Sequence, residues 1–334
     1  IYLKMLEDQS RWQALRNRSI EQLKFPYPSF RDGQRQLSES AYKVIKNERI
    51  LFARAPTGVG KTIAALFPAV KSLGLGQIQK IFYLTAKTVG RTVAIKALED
   101  TRKAELKIKS VVITAKQKTC LVSDETCDME TCPYAADYFG KLSQAMPLIS
   151  QLEAFDREAI DELARAYELC PFELSLDISL ICDVIICDLN YCFDPRVYLK
   201  RYFDHGRPNA TFLIDEAHNL TDRLRSMYSA DLLKSEVLSV QRAVRETAPD
   251  IAAALVTVNK GMLTLRRRCA DAETSFLSFD QLPEELMHTL RTFAGLADLW
   301  IARTREDSPV RSLRLDVYFK TNIFLGMSRF FDDN

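Results

Sequence analysis

Residues 52–70 read FARAPTGVGKTIAALFPAV. The apolar run Arg49–Ala55, RILFARA, has the length and composition of a short strand, and KTIAALFPAVKSL after it carries helical periodicity. Between them lies Ala55-Pro-Thr-Gly-Val-Gly-Lys-Thr62. A glycine-rich turn from a strand into a helix is the setting of a phosphate-binding loop. Gly58 and Gly60 let the chain curl, so that backbone N–H groups across Thr57, Gly58, Val59 and Gly60 can point at phosphate oxygens. The helix N-terminus adds positive potential. Lys61 can reach the outer phosphates, and the Thr62 hydroxyl can ligate Mg²⁺. Alanine stands at position 55, where the pattern usually opens on glycine; that position mainly sets the turn. The plainer alternative is a glycine-rich strand-to-helix turn with no ligand.

A nucleotide site of this kind needs a second acidic group. The stretch ATFLIDEAHNL, residues 210–220, supplies one at the end of an apolar run. Asp215 is the candidate magnesium ligand, and Glu216 the group that orients or deprotonates an attacking water. His218 is a third candidate in the catalytic set, with a role that chemistry alone does not assign. The alternative is a helix start with Asp215 as its cap.

Around these two motifs the pattern alternates. KIFYLT, SVVIT, DVIIC and ATFLID read as further strands, and VGRTVAIKALEDTRK as a helix. Strands alternating with helices predict a parallel sheet covered on both faces. Residues 1–24 read as a charged, amphipathic helical lead-in, and FPYPSFRDGQ then breaks the helix. Residues 116–180 show helical segments and cysteines but no strand pattern. Residues 222–334 read as helical throughout. There Leu286, Leu290, Phe293, Leu296 and Trp300 share one face, as do Phe319, Ile323, Met327 and Phe330. The chain starts on Ile and stops in an apolar pattern without a cap, the expectation for a piece of a longer protein.

With 334 residues, 47% hydrophobic and 27% charged, the chain can build two or three modules. Its 46 basic and 44 acidic side chains leave a formal charge of +2, which neither announces nor excludes a nucleic-acid partner. No run is long enough for a membrane span, and the start is too charged for a secretory signal, so a cytoplasmic chain without a membrane partner is expected. Eight cysteines in that compartment argue for metal or free thiols over disulfides. Cys120, Cys127, Cys132 and Cys170 fall together in the stretch without strands. Thiolates suit zinc or an iron–sulfur cluster. No C-x₂-C step occurs, and three close ligands with a distant fourth before Pro171 favour a cubane cluster, with zinc as the alternative.

APTGVGKT with LIDEAHN resembles the DEAH-box helicases of superfamily 2, and more narrowly the XPD/DinG family of iron–sulfur DNA helicases. FPYPSFRDGQRQL is similar to that family's adenine-reading segment. The resemblance implies that Gln34 faces the base, with Arg31 and Phe30 in support. YLTAKTVGR is similar to its motif for the backbone of single-stranded DNA, carried here by Thr85, Lys87 and Thr88. CPFELS and DVIICDLNYCFDP match the passage from the last cluster cysteine to the strand before DEAH. The closer resemblance covers residues 25–220.

The resemblance implies an α/β, RecA-like P-loop NTPase domain with a parallel sheet, formed by residues 25–115 and 181–221. It implies a helical insertion at 116–180, in which Cys120, Cys127, Cys132 and Cys170 hold a [4Fe–4S] cluster and Lys116 contacts DNA phosphate as a point charge. Residues 222–334 would be an incomplete helical arch. The implied activity is ATP- and Mg²⁺-dependent translocation, 5′→3′, on single-stranded DNA or a forked duplex. A second motor domain, not visible in the sequence, would act in cis, and this chain alone would be weakly active. The alternatives are a P-loop ATPase that remodels without unwinding, a DNA-binding module in which ATP is incidental, and a DEAH-type RNA helicase.

Overall fold

The structure is a computed structural model of the chain. It describes residues 2–56, 58–122, 127, 131–204, 206–303 and 309–331, with only the backbone for 2–8, 302–303 and 309–315. The chain divides into two compact units, Ile1–Leu220 and Thr221–Asn334. Among the described residues no helix is long and apolar enough to cross a membrane.

The first unit is built in chain order from α1 (Tyr2–Gln22), α2 (Gln34–Lys46), α3 (Lys61–Gly74), β1 (Lys80–Leu84), α4 (Thr88–Lys103), β2 (Ser110–Val112), α5 (Lys116–Thr119) and α6 (Tyr138–Ile149). It continues with β3 (Ala154–Phe155), α7 (Arg157–Tyr167), α8 (Pro171–Ile181), β4 (Val184–Cys187), α9 (Asn190–Phe193), α10 (Lys200–Phe203) and β5 (Ala210–Ile214). The five strands form one parallel sheet in the order β3-β2-β4-β1-β5. Helical crossovers join parallel neighbours because a hairpin cannot. Alternation along β1 divides the core. Ile81 and Tyr83 face a cluster with Leu66, Val70 and Leu73 of α3, Leu98 of α4 and Ile20 of α1. Phe82 faces the other way, stacked on Phe212 of β5 at 5.1 Å and edge-on to Tyr202 at 5.3 Å. This is the expected RecA-like α/β architecture.

Helix boundaries follow local chemistry. The Asp156 carboxylate accepts from Ala159 N at 2.9 Å and caps α7. Pro171 opens α8, where its missing N–H costs nothing. Helix α1 is pinned to the lower end of the sheet by a buried ion pair, Arg16 to Asp183 at 2.5 Å. Asp183 also accepts from Trp12 Nε1 and from the Lys109 backbone N–H.

In the second unit α11 (Leu220–Met227) is followed by α12 (Lys234–Ala243), α13 (Pro249–Asp271), α14 (Glu284–Arg303) and α15 (Pro309–Met327). Val237, Leu255, Leu290 and Phe293 are among the side chains of its closed helical core.

Three sequence expectations fail. Residues 49–55 pair with no strand, and Ile50 and Phe52 are 83% and 88% exposed. Apolar composition makes a segment competent for a strand, but only a hydrogen-bonded neighbour makes it one. Conversely, residues 116–180 do contribute an edge strand, β3, whose two residues are too few to show a period. Of the face expected from Phe319, Ile323, Met327 and Phe330, Phe319 on α15 and Phe330 just beyond it are each 54% exposed and the other two half-buried, while Val317 and Thr321 are buried. That helix has apolar residues all round, so periodicity could not select the inner face. On α14, by contrast, Leu286, Leu290 and Phe293 are buried as the pattern requires.

Candidate active site

Helix α3 starts at Lys61, directly after Gly58 and Gly60, both in left-handed conformations. Gly60 is also confined by the Gln34 side-chain amide, which a Cβ would strike. The Lys61 ammonium folds back to donate to the Ala55 carbonyl at 3.2 Å, which closes the loop. Val59 is half-buried, and Thr57 lies outside the described residues.

The adenine-motif candidates lie against this loop. The Arg31 guanidinium donates to the Gly58 carbonyl. Gln34 is 2% exposed, accepts from Arg31 N at 3.0 Å and donates to Gly60 O at 3.2 Å. Both ends of its amide are thus engaged by protein, so reading a base would require exchanging at least one of these bonds. Phe30 stacks on Phe25 with centroids 3.9 Å apart.

The acidic pair comes to the same end of the sheet. Parallel pairing aligns Leu84 with Ile214, and Asp215 N donates to Leu84 O at 2.9 Å. Ligands of open α/β sheets bind at this carboxyl end of the strands. Tyr83 lies beside Thr62 of the loop helix. Its hydroxyl is 3.4 Å from Thr62 Oγ1, and its pKa is pushed up to about 12, first by burial and then by the charges of Asp215 and Glu216. Glu216 sits at φ 53° and lies 3.5 Å from His218 Nδ1. His218 is exposed on the short turn Ala217–Asn219. Thr62 is therefore beside Tyr83 near the end of β1, and Asp215 follows the end of the neighbouring β5. Thr62 and Asp215 supply the hydroxyl and carboxylate oxygens that Mg²⁺ takes, so the donor set fits that ion.

The DNA-motif candidates divide. Thr85 is buried, and its hydroxyl is closed onto the backbone of Lys87 at 3.2 and 3.3 Å. It shapes the turn, while Lys87 and Thr88 are exposed at the start of α4. Gly90, one turn into α4, touches both motifs. A Cβ there would press on Thr85 Oγ1 and stand 2.9 Å from Asp215 Oδ2. Gly90→Ala is therefore expected to cost about 1–3 kcal/mol from overpacking, against the ~1 kcal/mol that alanine normally adds to a helix interior. Urea unfolding checks this, and a more stable variant would contradict the close approach.

All eight cysteines are free thiols. Cys170 N donates to Tyr134 O, tying the start of α8 to the turn after Cys132. Lys116 is one turn from Cys120, and its pKa is raised by a hydrogen bond with Cys127, with Cys170 adding to the effect. Thiols are of the right kind for a cluster or zinc. Among the described residues, however, no three potential ligands are drawn close enough to hold a metal. Cys182 and Cys187 are buried, and both thiols are pushed up in pKa. Sequence reasoning missed Tyr83 and Gly90. A tyrosine in an apolar strand reads as core, and nothing local marks a helical glycine as touching a carboxylate from a distant strand.

Comparison with known proteins gives a consistent result. The DEAD_2 family model matches residues 85–237. A probable ATP-dependent helicase of Methanocaldococcus jannaschii is 25% identical over 213 residues, 61% of this chain and 30% of that protein. The regulator of telomere elongation helicase 1 homologue of Caenorhabditis elegans is 22% identical over 318 residues, 81% of this chain and 31% of that one. The chain spans about a third of the length of these curated relatives. Among solved structures, an XPD helicase superposes with TM-score 0.53 at 16% identity, covering 91% of this chain and 51% of its own. A truncated XPD gives 0.50 at 17%, covering 89% and 81%. The chain thus carries a DEAD_2 match over residues 85–237, is similar in sequence to ATP-dependent helicases and shares the fold of XPD helicases.

Proposed function

We propose that this chain is the ATP-binding portion of an ATP-dependent DNA helicase. The observation that supports the reading is the Thr62 hydroxyl, in the helix that the loop opens, 3.4 Å from the hydroxyl of Tyr83, on the strand paired with the one that leads into Asp215. Relatives whose names call them helicases support it. Residues 25–115 and 181–221 would form the first motor domain, 116–180 the cluster insertion and 222–334 the arch, with a second motor domain in cis.

Phosphoryl transfer asks the protein mainly for positioning and charge neutralisation. Lys61 would exchange its bond to Ala55 O for the outer phosphates of ATP. The backbone N–H groups from Gly58 to Thr62, at the positive end of α3, would hold their oxygens. Thr62 and Asp215 would hold Mg²⁺, which neutralises developing charge when bound. Glu216 would orient the attacking water, with His218 beside it. Gln34 and Arg31 would report the adenine to the loop. Lys87, Thr88 and Lys116 would follow the phosphates of a single strand, 5′→3′ in direction, so that affinity falls with salt and is indifferent to sequence.

Single-stranded DNA should stimulate ATP hydrolysis by the full-length protein, and a forked duplex should be unwound. Hydrolysis that ignores DNA would instead describe a P-loop ATPase of another purpose, and stimulation by RNA alone an RNA helicase. For the insertion, the reading is a [4Fe–4S] cluster on Cys120, Cys127, Cys132 and Cys170. Protein purified without oxygen should be brown, with a broad visible absorption band that Cys170→Ser removes. A colourless protein with one bound zinc would overturn that assignment.

A further inference from the structure

Tyr83 opens the stretch YLTAKTVGR but is none of the residues expected to contact DNA there; its hydroxyl instead lies beside Thr62 of the phosphate-loop helix. The residue is 3% exposed, in the middle of the β1 ladder, with Leu213 of β5 on one side and Ile186 of β4 on the other. Its ring is thereby fixed by core packing. The hydroxyl emerges 3.4 Å from Thr62 Oγ1 and within the electrostatic reach of Asp215 and Glu216. A buried phenol needs a partner for its O–H and has an oxygen that can accept.

We propose that Tyr83 is a positioning residue of the nucleotide site, one that sets the rotor of the Thr62 hydroxyl for metal binding. A threonine oxygen that ligates a cation must turn a lone pair towards it and send its own proton elsewhere. The Tyr83 oxygen is the acceptor within reach of that proton. The hydroxyl that orients Thr62 is thus carried on a strand that packing holds still. At 3.4 Å the contact is longer than a formed O–H···O bond, and such bonds tighten when the site is loaded. The proposal rests on the ATP-site reading above, and the experiment separates the two.

Tyr83→Phe removes one oxygen and leaves the ring packing in place. The full-length protein and this variant are titrated with a fluorescent ATP analogue, with EDTA and across a magnesium series, and each is melted without nucleotide. The expected result is an unchanged melting temperature and unchanged affinity in EDTA. The magnesium concentration needed for half-maximal tight binding should rise about tenfold, the scale for loss of a partner that orients a metal ligand. Equal magnesium dependence in the two proteins overturns the proposal and leaves the ATP site standing. An equal loss of affinity with and without magnesium also overturns it, because it assigns Tyr83 to packing alone. Absence of any magnesium-dependent binding by the unmodified protein overturns the ATP site, and this proposal with it.

Discussion

Lys61→Ala is expected to lower ATP hydrolysis by the full-length protein roughly 10²–10³-fold, the scale set by removing one preorganised donor from developing charge. DNA unwinding should fall with it. The lysine is placed for this by three features of the sequence: the two left-handed glycines before it, the helix it opens, and the Ala55 carbonyl on which it parks. Because that carbonyl is its recorded bond, folding should be nearly untouched, with unfolding free energy within about 0.5 kcal/mol of the parent. A steady-state ATPase assay and a urea melt on one preparation check both halves. Intact hydrolysis in Lys61→Ala would mean that the loop is only a turn, the alternative its composition had left open.

The largest expected effect on stability lies at the opposite end of the strands. Arg16 and Asp183 are 8% and 2% exposed and 2.5 Å apart. Burial removes the solvent screening that makes surface pairs weak. Arg16→Met should therefore cost about 3–5 kcal/mol, because it strands a buried carboxylate without its cation. Trp12 and the Lys109 amide would still donate to Asp183, but neither carries the compensating charge. Adding Asp183→Asn to Arg16→Met should recover part of the loss, since a neutral amide oxygen can still accept from Lys109 N–H. Urea denaturation of the two variants measures the difference. A double variant less stable than Arg16→Met would show that charge was not the issue.

The two motifs were legible because each states its chemistry locally. A loop that must curl around phosphate writes its glycines, lysine and threonine side by side, and an acidic pair at the end of a strand is equally compact. The strands from Lys80, Ser110, Val184 and Ala210 were legible as apolar runs bounded by polar residues. What failed depended on partners distant in sequence. Whether Ile50–Phe52 pairs is decided by which strand lies beside it, and β3 exists through its pairing with β2. The inner face of α15 is chosen by what packs against Val317, on a helix that offers apolar groups in every direction. Tyr83 and Gly90 matter because β1 and α4 carry them to Thr62 and Asp215, residues 21 positions before one and 125 after the other. The Arg16–Asp183 pair spans 167 positions and has no local signature.

The central claim is that Lys61, Thr62, Asp215 and Glu216 serve one magnesium-bound triphosphate. A crystal structure of the full-length protein with Mg²⁺ and a non-hydrolysable ATP analogue tests it most directly. It should show a single ion held by Thr62 Oγ1 and the Asp215 carboxylate, directly or through water. The Lys61 ammonium should have left Ala55 O for the outer phosphates, and Glu216 should face them. An analogue bound with its phosphates away from Lys61, or an ion shared with neither Thr62 nor Asp215, would contradict the account.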